Sequence, residues 1–168
     1  MKIRYLAVAL MAASTIVTAS AEEAGEVTLE IDETTYAFPL WKSQSDWSGS
    51  ESYTSVNIFA RPGDKQTKAK FQTFTLGFET MGSNLNSGEI TLTRLVDGDR
   101  QKLYAGTDED EGGIDLVLES KSVDGDELKI AGTFTTQMGT SKNYGRDVDL
   151  SNPVEVSGRF DVTLGPVE

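Results

Sequence analysis

An all-β fold, an antiparallel β-sandwich or closed barrel of about eight to nine strands, is what this sequence predicts, and three observations predict it. Apolar and polar residues alternate with period two through most of the chain beyond its N-terminal segment. Short Gly- and Asp-containing turns punctuate those stretches. No later stretch holds apolar residues at i, i+3, i+4 and i+7 for long enough to make a long helix in the mature chain.

The N-terminal segment has a different character. Lys2 and Arg4 give a basic start, Leu6 to Met11 with Ala12 and Ala13 an apolar middle, and Ala19-Ser20-Ala21 a small-residue site of the kind signal peptidases cut. Ser14, Thr15 and Thr18 interrupt the apolar run, which falls short of the ~20 residues a spanning helix needs. Residues 1–21 therefore read as a signal peptide cleaved before Glu22, leaving one β domain over 22–168 with no membrane span. The full chain has 15 basic and 27 acidic residues; loss of Lys2 and Arg4 takes its net charge from −12 to −14. A cysteine-free exported chain without an Asn-x-Ser/Thr site fits the periplasm or the external medium.

The strands follow in order. Val27, Leu29 and Ile31 alternate with Thr28, Glu30 and Asp32. Tyr36, Phe38 and Leu40 resume the pattern after Glu33-Thr34, so the first two strands form a hairpin. Further strands are expected over 54–60, 71–79, 89–96, 101–105, 114–122, 127–135 and 154–164. Asp97-Gly98 and Asp124-Gly125 give the strongest hairpin signals, because they supply residues that tolerate positive φ. Two strands share a pattern: Leu128-Lys129-Ile130-Ala131-Gly132-Thr133-Phe134 and Val154-Glu155-Val156-Ser157-Gly158-Arg159-Phe160. Even spacing puts each Gly and Phe on the face of two preceding aliphatics, with Phe134 and Phe160 filling the core and each glycine admitting a bulky neighbour. An outer-membrane barrel is weighed against this reading. Most strands are shorter than the ~9–11 residues that cross a bilayer, and the chain lacks a terminal aromatic girdle.

Composition removes whole chemistries. Without cysteine there is no disulfide, thiolate nucleophile or Cys-ligated metal, and without histidine no Ser-His-Asp triad and no His-ligated metal. The strong negative charge, unopposed by any Lys/Arg cluster, disfavours nucleic acid and anionic membranes.

Three segments are candidate sites. Asp108-Glu109-Asp110-Glu111-Gly112-Gly113-Ile114-Asp115 gathers carboxylates beside glycine, which is Ca²⁺-type chemistry with Asp108, Asp110 and Asp115 as ligands; the competing reading is a solvated acidic turn. Its spacing departs from an EF-hand where Gly112 replaces a ligand. The polar loop from Trp41 to Tyr53 holds Trp41, Trp47 and Tyr53, rings able to stack on a sugar or apolar ligand, or else to fill core and cap positions. The long loop 136–152 sets Tyr144 between Lys142 and Arg146, a cationic and aromatic surface for an acidic or sugar ligand. The function expected is a non-catalytic binding module for a sugar or small ligand through these aromatic loops. An envelope-structural or protein-interaction component using strand edges and a carboxylate-based hydrolase are the other two classes.

Overall fold

Period-two alternation becomes ten strands in the computed structural model, which describes residues 24–167; the predicted leader lies outside the described residues. They are β1 (Gly25–Ile31), β2 (Thr34–Pro39), β3 (Asp46–Gly49), β4 (Tyr53–Ala60), β5 (Phe71–Met81), β6 (Asn84–Val96), β7 (Asp99–Gly106), β8 (Asp115–Asp124), β9 (Glu127–Thr140) and β10 (Asp149–Pro166). Among the described residues the one α-helix, α1 (Lys65–Lys68), is a single turn between β4 and β5. Among the described residues no helix is long and apolar enough to cross a membrane.

The strands form two five-stranded layers. Sheet A runs β2-β1-β10-β9-β8 and sheet B runs β3-β4-β5-β6-β7. The layers join at two corners, where Gly165 and Pro166 of β10 pair in parallel with Asp46 and Trp47, and Tyr104 of β7 pairs with Gly139 of β9. Because β9 and β10 also pair with each other, β10-β3-β4-β5-β6-β7-β9 is a closed circuit. The fold is thus a sandwich pinched shut into a barrel, with the β1–β2 hairpin and β8 added as flaps.

The core lies between the layers. Phe38 and Phe134 of sheet A meet Phe74 of sheet B, with ring centroids 6.2 and 5.8 Å apart, and Phe78 meets Phe160 at 5.7 Å. Leu29, Ile58, Leu76, Leu92, Leu128 and Ile130 fill the space between these rings with no more than 1% of their surface exposed. An apolar interior with polar outer faces is the reverse of a membrane-spanning barrel.

Two expectations about loops need correction. The segment 41–53 is not an open loop: a 3₁₀ turn over Lys42–Gln44 leads into β3. The expected loop 136–152 shrinks to 141–148, because β9 continues to Thr140 and β10 begins at Asp149. The inward residues of that extension are Thr136 and Met138, and the start of β10 is interrupted by an irregularity between Asp149 and Val154. Neither leaves an aliphatic alternation in the sequence.

Candidate functional site

The outer faces of the two sheets differ in kind. On sheet A the cross-strand row Glu30–Ser157–Thr135–Asp115 is short and polar, and no aromatic residue points outward there. On sheet B, inward Ile58 and Ala60 leave Phe59 facing out, and inward Leu103 and Ala105 do the same for Tyr104. The register sets Phe59, Thr75, Thr91 and Tyr104 in one row across β4–β7. The next row is Asn57, Gly77, Glu89 and Gly106. All five described aromatic residues that are not buried, Trp41, Tyr53, Phe59, Tyr104 and Tyr144, belong to this side of the molecule.

At the β7 end the rings border a cleft of about 400 Å³, walled by Tyr104, Tyr144 and Arg146 and floored by Glu89, Gly106 and Glu111. Tyr144 is 90% exposed and held at φ +63°. A bulky residue in the left-handed region costs about 1–3 kcal/mol and persists only where its surroundings enforce it. Here they do. The Ser141 hydroxyl donates to the Asn143 Oδ1 (2.9 Å) and accepts from the amides of Asn143 (3.3 Å) and Gly145 (2.9 Å). Asn143 Oδ1 accepts from the Asp147 amide (2.9 Å), and its Nδ2 donates to the Asp147 carboxylate. Gly145 lies against the Tyr104 ring, where an added Cβ would stand 2.9 Å from Cδ1. The loop is therefore fixed with Tyr144 presented to solvent.

Of the residues singled out from sequence, Tyr144 and Arg146 line this cleft, while Lys142 is exposed on the same loop without lining it. Trp41 reaches the same face from the other side: its ring packs edge-on against Phe59 (5.3 Å), and the Arg61 guanidinium stacks 3.1 Å from its centroid. Tyr53 is 42% exposed at the start of β4, where the neighbouring Glu79 carboxylate, as acceptor and as negative charge, holds the phenol above its usual pKa. Trp47 lies away from that face, at a separate hollow beside Ser48, Val123 and Asp126. It faces the core, 7% exposed, and its Nε1 donates to the Asp126 carbonyl (3.0 Å). Trp41, Trp47 and Tyr53 therefore do not form one aromatic surface, because strand pairing sends Trp47 inward.

Sequence reasoning passed over Tyr104 and Glu89 and named Glu111 only within the acidic run 108–115. An available signal was Tyr104 standing on the wet face of an alternating strand, between inward Leu103 and Ala105.

Asp108 precedes a 3₁₀ turn over Glu109–Glu111, and Asp115 opens β8. Among the described residues no three acidic groups are gathered as metal ligands, and Asp108, Asp110 and Asp115 are each exposed. A further concavity, of about 570 Å³, lies over β1, β10 and β9 by the β1–β2 turn and carries Glu30, Asp32, Glu33 and Glu155 without an aromatic or basic side chain among the described residues.

Comparison of the chain with known protein families, with curated proteins and with solved structures finds no match in any of the three.

Proposed function

We propose that this protein is an exported, non-catalytic binding module that holds a neutral carbohydrate on the outer face of sheet B. The observation that carries the reading is the gathering of every non-buried described aromatic ring on that face, with two of them walling a polar cleft. Pyranose rings present C–H faces that pack on tyrosine and rims of hydroxyls that seek donors and acceptors. Arg146 supplies donors, and Glu89 and Glu111 supply acceptors. Two carboxylates against one guanidinium, on a chain of net charge −12, disfavour an acidic sugar or a phosphate.

The other classes fit less well. A partner strand added along β8 meets a bulge between Leu118 and Ser120 that breaks the regular edge. A glycosidase needs one carboxylic acid raised by an apolar pocket, whereas Glu89 is exposed and Glu111 half-exposed in a polar cleft. The test is a glycan array followed by titration calorimetry on the hits. Tyr144→Ala should weaken binding about tenfold or more while leaving the unfolding midpoint within error, since its ring is solvent-exposed. No neutral glycan bound by the wild type, or full affinity in Tyr144→Ala, refutes the reading.

A further inference from the structure

The cleft beside Tyr144 does not end at β6. A second hollow of about 400 Å³ lies on the same outer face, lined by Ser55, Asn57, Gly77, Glu79 and Ser87, and the two hollows share Gly88 and Glu89. They are joined along the row Asn57–Gly77–Glu89–Gly106, which crosses four strands at right angles. Gly77 and Gly106 lack side chains, and Glu89 leans over the first and Glu111 over the second, so the floor is lined by carboxylates. Adjacent strands are ~4.8 Å apart, so β4 to β7 spans about 14 Å, longer than one sugar ring.

We infer that this trough takes a linear, neutral β-1,4-linked glycan, whose leading ring packs on Tyr104 and Tyr144 while the following rings pass over Glu89 to Asn57 and Ser55. The inference rests on the binding-module reading and names its substrate class. The two ends differ in chemistry: the β7 end offers rings, and the β4 end offers an amide, hydroxyls and the Glu79 carboxylate, which already accepts from Ser87 at 3.1 Å. Among the described residues Arg146 is the one cation lining either hollow, against three carboxylates, so a chain of uronic acids or sulfated sugars is repelled along the trough. A row of paired residues across four strands is an extended path that turns with the sheet by roughly 20–25° per strand. A β-1,4 chain is extended enough to follow it, whereas an α-1,4 chain curves away.

The experiment is titration calorimetry of the whole protein with two chain-length series, glucose to cellohexaose and N-acetylglucosamine to its β-1,4-linked hexamer. Affinity for at least one series should rise about tenfold or more from one unit to three and then level off. Gly77→Val places a β-branched side chain in the second hollow, where an added Cβ meets nothing nearer than 3.5 Å and strand propensity improves, so the fold is retained. It should abolish the gain with length. Asn57→Ala, also exposed, should reduce the same gain without touching the first unit. Binding that ignores chain length, or a gain that survives Gly77→Val, overturns the trough while Tyr144 dependence still upholds the module. Failure of both series to bind overturns the β-1,4 assignment; binding indifferent to Tyr144→Ala overturns trough and module together.

Discussion

Phe134 and Phe160 do more than fill the core. In the β9–β10 register Phe134 stands opposite Gly158 and Phe160 opposite Gly132, so each ring lies across the glycine of the facing strand. An added Cβ at Gly132 would meet the Phe160 Cζ at 2.8 Å and the Val117 carbonyl oxygen at 2.6 Å, and one at Gly158 would collide with the Phe134 ring. The paired Gly-x-Phe pattern in the sequence is therefore one reciprocal lock at the centre of sheet A. Phe134→Ala should cost about 3–5 kcal/mol through lost burial and a cavity. Gly158→Ala should cost about 1–3 kcal/mol by overpacking against that ring. In the double variant the smaller side chain relieves the collision, so the costs should sum to less than their parts. Urea unfolding of the three variants measures each quantity, and strict additivity would show that the two residues do not share the contact.

At the scale of elements, the turns decide where strands stop. Asp97 and Gly98 both take positive φ, the two-residue turn that suits strand twist. The β1–β2 hairpin makes the same turn with Asp32 and Glu33, at φ +51° and +58° and without glycine, so alternation alone marked it in the sequence and put the break one residue late, at Glu33-Thr34. The single turn of α-helix, α1, depends on Asp64, whose carboxylate accepts from the amides of Gln66 (2.8 Å) and Thr67 (2.9 Å) and from the Thr67 hydroxyl (2.6 Å). Those bonds, the Thr67 hydroxyl foremost, hold its pKa below the usual value. A depressed folded pKa gives stability that is present above the unfolded value, near 3.9, and is lost as pH falls through the lower folded value. Asp64→Asn retains a capping oxygen but does not titrate. The wild type should therefore lead the variant at pH 6 and lose that lead by pH 2, as read from urea midpoints; an unchanged difference would show that the cap is not charge-assisted.

Across the whole molecule, the closed circuit is thin at its corners and is reinforced by side chains that cross between layers. Trp47 of β3 reaches the β8–β9 turn through its bond to Asp126. Lys121, on the edge strand β8, donates to the carbonyls of Gly82 (2.6 Å) and Glu51 (2.9 Å) and contacts the Thr54 hydroxyl at 3.4 Å, so one ammonium ties sheet A to two turns of sheet B. Lys121→Met keeps the aliphatic stem and removes the donor. It should cost about 1–3 kcal/mol and lower the thermal midpoint, and hydrogen exchange should quicken first around residues 50–54 and 80–83. An unchanged exchange pattern there would show that the corner is held by backbone pairing alone.

The sequence by itself determined the all-β class, the hairpins, the inward registers of Phe134 and Phe160, and the absence of thiol and imidazole chemistry, because alternation, turn residues and composition are local properties of the chain. It also located Tyr144 and Arg146 on a surface segment. Only the tertiary structure decided that β3 breaks the Trp41–Tyr53 segment and sends Trp47 inward, since four residues of DWSG carry too little alternation to declare a strand. Only strand pairing, β6 with β7 and Tyr104 of β7 with Gly139 of β9, could bring Tyr104, Glu89 and the turn carrying Glu111 beside Tyr144. Sequence periodicity says which way a side chain points from its own strand; which other strands share that face is set by pairing, and the site is a product of pairing.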